Sequence, residues 1–412
     1  MRKINWFALL TSTSLFFGGL LGYYSILYVA VICYIPSATV TVPYRGLFLL
    51  FTLWLSSSYF FKRRPFYSGK LLFVFFAFWI LYAVAILLEP SGYLYQSKLK
   101  YGLMALGGCV LPSLPLLFRM QLSELNIGWI TTLITGIAVG MCSLFLYGDA
   151  QDIGRAQKGE FIGDFVTIGP LQLSYIGSVS MLLGLHCAIE GKALRLRILR
   201  YGFATALLIL GAFQVSIGAS RGAVVAIVVV VLLFVGARLR TFRDMSGGAL
   251  LLSLLIVGGS LVSYYSDVLG SVLFMRLQAI LHVQDTYMHG GHGIGRIFIY
   301  QASIEQFLEN PFFGGGLTVR SMDSYSHNFL LEAFLSTGVF GGMLFSVFFF
   351  GSLWRALLII RYVPQCSWVS VLFLHYSVSV QFSSSLASNT YFWFTAMLVL
   401  GVYEFSGVKM QN

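Results

Sequence analysis

Between Leu71 and Leu88 the chain runs eighteen residues without a charge, and Ala223 to Gly236 is another such run. A helix needs about 20 predominantly apolar residues to cross a hydrocarbon core ~30 Å thick, and runs of this kind recur along nearly the whole chain. Charged residues make up 10% of it, against the roughly 25% of a soluble domain, and the mean hydropathy is +0.83. These features predict an all-α polytopic integral membrane protein, with no stretch long enough to fold as a soluble domain.

Spans are expected near 7–36, 45–61, 70–88, 99–118, 127–147, 169–189, 201–218, 222–237, 248–265, 328–351, 367–385 and 390–406, about twelve in all. The first is long and softened at Gly18, Gly19 and Gly22, so it reads as a membrane anchor, either one tilted helix or a broken hairpin. The expected organisation is helices 1–9 over residues 1–265, a large loop over 266–326, and C-terminal helices over 327–412.

The net charge of +11 is no mark of a nucleic-acid partner, because the basic residues fall in short clusters between apolar runs: Lys62, Arg63 and Arg64; Lys192, Arg195, Arg197 and Arg200; Arg238, Arg240 and Arg243; Arg355 and Arg361. Such clusters mark the cytoplasmic ends of spans, which puts three segments on the far side. These are a mixed-charge loop from Asp149 to Thr167, a five-residue turn at Gly218–Gly222, and the long segment from Ser266 to Ser326. Apolar residues at three- and four-residue steps from Ile297 to Leu308, stopped by Asn310-Pro311, predict an amphipathic surface helix in the last of these. Gly314, Gly315 and Gly316 then form a turn of close approach.

Arg221 stands in the short turn among Gly218, Ala219, Ser220 and Gly222, where it either snorkels to the interface or binds an anion approaching past small neighbours. Arg296 opens the predicted surface helix, Arg276 lies at the start of the long segment, and Arg155 sits in the mixed-charge loop. Arginine forks bind phosphate oxygens in pairs, and several of them without a carboxylate cluster suit a diphosphate. His327, followed by Asn328 and five residues before Glu332, sits at the lip of an apolar helix. An imidazole there is either structural or a base able to take a proton from a hydroxyl. His289 and His292 in a glycine run make a weak metal pair with no third ligand at fixed spacing. Five cysteines in or beside apolar runs read as small hydrophobes.

Taken together, His327-Asn328 with Gly338 and Gly341 resembles the histidine motif of the O-antigen ligase and O-antigen polymerase superfamily, and Ser220-Arg221-Gly222 resembles its arginine turn. Gly295-Arg296 at a helix start and the Asn310-Pro311 to Gly316 turn are further matches. Val225 departs from the leucine frequent four residues after the family's arginine. The resemblance implies a bacterial inner-membrane glycosyltransferase with its site on the periplasmic side. It would transfer a glycan from undecaprenyl diphosphate to a hydroxyl, with inversion and with neither cofactor nor metal. His327 would be the base; Arg221, Arg296, Arg276 and Arg155 would hold the diphosphate; Ser220, Asn328 and Glu332 would support them. The acceptor is either a growing glycan, as for a polymerase, or lipid A-core, as for a ligase, with a chain-length regulator as a further partner. A polymerase is favoured, since no basic external surface suited to anionic lipid A-core is evident. A protein O-glycosyltransferase would have a larger C-terminal external domain. A transporter would show repeats and mid-membrane charges, whereas here the polar candidates gather at one face.

Overall fold

A computed structural model describes residues 6–90, 97–147, 168–191, 194, 196–238, 292–322 and 324–406, without the side chains of 37, 38 and 292–295. Among the described residues the architecture is helical: α1 Trp6–Gly19, α2 Gly22–Ile32, α3 Ser37–Phe61, α4 Lys70–Leu88, α5 Lys98–Ala105, α6 Leu122–Tyr147, α7 Pro170–Glu190, α8 Arg197–Gly218, α9 Arg221–Arg238, α10 His292–Glu309, α11 Phe329–Tyr362, α12 Ser367–Ser379 and α13 Thr390–Phe405. Seven helical stretches are long and apolar enough to cross a membrane, and α1 with α2 adds an eighth if the bent pair is one span. This is an integral membrane protein.

Successive long helices alternate in direction, so their connections collect at two ends. One end carries the described members of the basic clusters. There Arg64 of the α3–α4 link forks onto Glu124 of α6 at 2.9 and 3.0 Å, and Arg238 pairs with Glu190 of α7. Arg200 donates to the Cys187 and Ile189 carbonyls at 3.1 and 2.9 Å, satisfying acceptors that the end of α7 leaves open. His327, Ser220 and the end of α4 lie at the opposite end.

Two kinds of packing hold the helices together. Between α7 and α8, a Cβ on either Gly177 or Gly211 would lie 2.6 Å from the other's carbonyl oxygen, so backbones touch where side chains would keep them apart. Between α4, α11 and α13 the contact is aromatic, with Phe75 5.4 Å from Phe348, Phe78 5.2 Å from Phe345 and Trp79 5.0 Å from Trp393.

Several expected spans are irregular, each for a local reason. The first is broken, with α1 and α2 bent by 72° at the glycine-rich soft spot. The span expected over 99–118 becomes α5, a π-turn over Leu106–Val110 and a 3-10 stretch over Leu111–Leu117, because Pro112 and Pro115 cannot donate to an α ladder. The expected spans 367–385 and 390–406 shrink to 13 and 16 residues. Between them Val380–Asn389 is non-helical, as hydroxyl and amide side chains in SSSLASN compete for backbone partners. The span expected over 248–265 lies outside the described residues.

α11 runs on to Tyr362 but is broken at Gly338, whose φ of 67° and ψ of −167° are not helical. A break of this kind strands backbone groups on both sides of it. The Asn310–Gly316 turn takes them up: Pro311 O accepts from Val339 N at 2.8 Å, and Gly315 N donates to Leu335 O at 2.7 Å. Only glycine fits at 338, since a Cβ would stand 2.1 Å from Phe312 O.

Candidate active site

Arg221 is placed by the tight α8–α9 turn. Ala219 caps α8 in the left-handed conformation (φ 44°, ψ 43°), and its N–H donates to Val215 O at 2.9 Å. Ser220 N donates to Ser174 Oγ of α7 at 3.1 Å, and Arg221 is the first residue of α9. The small residues around it serve packing more than ligand approach. A Cβ on Gly218 would lie 2.2 Å from Ser174 Oγ, and one on Gly222 would lie 2.8 Å from Tyr175 Oη and 3.5 Å from Phe382.

Arg296 rides on α10, the predicted surface helix. Its inward face is polar: Gln306 donates to the Gly315 and Thr318 carbonyls and accepts from Arg320 N, each at 2.9 Å. The apolar Ile297, Ile304 and Leu308 are exposed. Tyr300 Oη donates to Gln381 O at 3.3 Å, tying this helix to the Val380–Asn389 segment.

His327 has a left-handed backbone, φ 57°, and Asn328 after it caps α11 by accepting from Leu331 N at 2.9 Å. Asn328 Nδ2 also donates to Gln381 O at 3.3 Å. The imidazole packs on Tyr325 with ring centroids 4.1 Å apart. Its Nε2 lies 3.5 Å from Ser324 Oγ, the outer limit for a hydrogen bond. Its Nδ1 is buried without a partner among the described residues. Burial, and then the Arg296 charge, push the His327 pKa down to about 4, so the ring is neutral at ordinary pH, while the same two causes make it a weaker base. Burial raises the Tyr325 phenol.

Arg296 is the electrostatic link. Its charge acts on His327 and also on Arg221, so the fold brings together three residues that lie far apart in sequence. Among the described residues the ion pairs are Arg64–Glu124 and Arg238–Glu190, so neither Arg221 nor Arg296 is paired with a described carboxylate. A like-charged pair costs free energy that an arriving anion relieves. Arg155, Arg276 and His289 lie outside the described residues, as does the side chain of His292.

Glu332 is placed differently from an orienting partner of the histidine. It is fully buried, and its carboxylate accepts from Leu386 N at 3.1 Å on each oxygen and from Tyr82 Oη at 3.3 Å. It therefore anchors Val380–Asn389, the part of the site that sequence reasoning missed. That segment touches every other part of the site: Gln381 O serves Tyr300 and Asn328, Phe382 lies against Gly222, and the Ser384 backbone bonds Tyr325. Its signal in the sequence was a serine and asparagine run between two apolar stretches. Ser384 has φ 92°, and Ala219, His327 and Ser384 are three of the five non-glycine residues with positive φ among those described. Strain of this kind gathers at functional sites. A cavity of about 620 Å³ lies at the basic end, lined by Arg64, Arg119 and Phe405 among others, away from these residues.

Residues 206–346, about a third of the chain, match the family model described as O-antigen ligase. The match takes in Arg221, Arg296, His327, Gly338 and Gly341. No curated protein and no solved structure matches the chain.

Proposed function

We propose that this chain, a member of the O-antigen ligase and polymerase superfamily, polymerises undecaprenyl-diphosphate-linked repeat units on the periplasmic side of a bacterial inner membrane. His327 takes the proton of an acceptor sugar hydroxyl. That oxygen bonds to the anomeric carbon of the donor with inversion, and the bond from that carbon to the diphosphate oxygen breaks. Arg221 and Arg296 hold the diphosphate and stabilise the negative charge it gains as it leaves, so the step is written without a metal. Arg276 and Arg155 are proposed as further diphosphate ligands, with Ser220, Asn328 and Glu332 in support.

The observation that carries this reading is the trio itself: the charge of Arg296 acts on both a neutral imidazole and a second arginine, and among the described residues neither arginine is in an ion pair. Transfer of the finished glycan to lipid A-core is the second reading, and the family match is compatible with either. Both readings use the same donor chemistry. The lipopolysaccharide banding of a deletion strain separates them. Lipid A-core bearing one repeat unit marks a lost polymerase; naked core with carrier-linked polymer accumulating marks a lost ligase. His327→Ala at normal expression is expected not to restore long surface polysaccharide, and full restoration would remove His327 as the base.

A further inference from the structure

α12 and α13 are too short to span the membrane. Their 13 and 16 residues reach about 20 and 24 Å, against a core ~30 Å thick. Trp393 of α13 packs on Phe75, Phe78 and Trp79 of α4, with ring centroids 5.6, 6.2 and 5.0 Å apart. Glu89 is ten residues beyond Trp79, whereas Asn389 is four residues from Trp393. The six-residue difference places the Val380–Asn389 connection about 9 Å deeper than Glu89. An independent contact agrees: Glu332 joins Leu386 N to Tyr82 Oη, and Tyr82 lies seven residues back from Glu89, about 10 Å along α4.

Irregular backbone at membrane depth persists only where protein buries it or where it lines a water-filled cavity. Among the described residues, protein alone does not satisfy this one. Gln381 Oε1 and Ser379 Oγ are buried without a partner, as are His327 Nδ1 and Tyr175 Oη on the segments that meet it. Orphaned polar atoms gathered at one place call for water or a ligand. Sugar hydroxyls, each both donor and acceptor, match such a mixed set.

We propose that Val380–Asn389 is the floor of a polar recess sunk below the His327-side membrane surface, where Gln381 and Ser384 hydrogen-bond the acceptor glycan beside the hydroxyl that His327 deprotonates. This rests on the glycosyl-transfer reading above and assigns the acceptor subsite within it. The donor is left to the two arginines.

The test uses the full chain in lipid nanodiscs. The donor is carrier-linked glycan extracted from the source strain, and the acceptor is a soluble oligosaccharide released from the same strain's polysaccharide. Gln381→Ala removes the unpartnered Oε1, together with the Nε2 bond to Ser377 O at 3.3 Å, but keeps the backbone carbonyl that Tyr300 and Asn328 use. Ser384→Gly removes the hydroxyl and relieves the left-handed backbone. Each is expected to raise the acceptor KM about five- to tenfold, the value of one neutral hydrogen bond, with donor KM and kcat within twofold. Acceptor KM within twofold of wild type in both variants, or a rise confined to donor KM, overturns the proposal.

A second measurement guards against a folding defect. Ser388→Cys, in a Cys33→Ser background, is expected to react with a membrane-impermeant thiol reagent and to be protected by the oligosaccharide. Absence of labelling, or labelling that the oligosaccharide leaves unchanged, also overturns the proposal. The two levels of failure are distinguishable. If the wild type transfers, His327→Ala does not, and Gln381→Ala and Ser384→Gly are unaffected, only the acceptor assignment falls. If the wild type transfers no glycan at all, the reading of the function falls with it.

Discussion

Replacing Arg296 with glutamine removes one of the two causes that hold the His327 imidazole at about 4 and leaves the other. The sign follows from the chemistry of a base. The neutral ring is active, so the rate is full well above the pKa and is lost as pH falls through it, which puts the acid limb of the wild type near 4. Without the Arg296 charge the ring protonates more easily and the limb moves up. Burial is the larger cause, so the variant recovers less than half of the distance back to the ordinary value of about 6.5, ending between about 4 and about 5. A limb at about 5 means roughly a threefold lower neutral fraction at pH 4.5 and no difference at pH 7. Any loss of activity in Arg296→Gln at pH 7 therefore reports donor binding and not the base. The assay is the pH profile of kcat/KM in nanodiscs. It is paired with carbethoxylation of His327 followed by peptide mass spectrometry, which reads the neutral imidazole without needing donor. A wild-type limb near 6.5, or a variant limb that stays in place or moves down, refutes the electrostatic coupling.

Arg221→Lys keeps the charge but loses the paired geometry of the fork, so transfer is expected to fall about tenfold or more; full activity would mean that Arg221 only snorkels. Gly338→Ala meets both a positive φ and the Phe312 carbonyl. It is expected to cost roughly 1–3 kcal/mol for the backbone alone, read as a lower thermal unfolding midpoint, and an unchanged midpoint would contradict the role given to the Asn310–Gly316 turn. Glu332→Leu strands the Leu386 N–H, at a cost of about 1–3 kcal/mol. Its effect on transfer should exceed that of Glu332→Gln, which keeps one oxygen acceptor; equal effects would mean that the carboxylate has a role other than holding the floor.

The helical membrane class was legible because it follows from summed, local properties. Apolar runs of spanning length with few charges leave few alternatives, and the described members of the basic clusters fall at one end because each short link inherits its position from the helices it joins. The break in α1–α2 was foreshadowed by its glycines, and α10 by its periodicity and the Asn310-Pro311 stop. The prolines at 112 and 115, although visible, were read through, because hydropathy alone does not register a missing N–H. The same blindness carries the expected span past Ser379 to residue 385, since serine in an apolar setting lowers hydropathy little while its hydroxyl competes for the backbone.

Within the site, residue types and order pointed to His327, Arg221 and Arg296 one at a time. That Arg296 presses on both of the others depends on how α10 is hung from Gly315, Thr318 and Gln381, which are contacts between distant segments. Glu332 shows the limit most clearly: five residues from His327 in sequence, it turns towards Tyr82 and Leu386. The sequence by itself determined an all-helical membrane chain, its basic end and the chemical kinds of its candidate residues, because these depend on composition and short-range spacing. Only the tertiary structure decided that Gly338 and the Asn310–Gly316 turn are one lock, and that Val380–Asn389 underlies the histidine. Both require backbone groups stranded in one segment to find partners in another, and no local pattern carries that information.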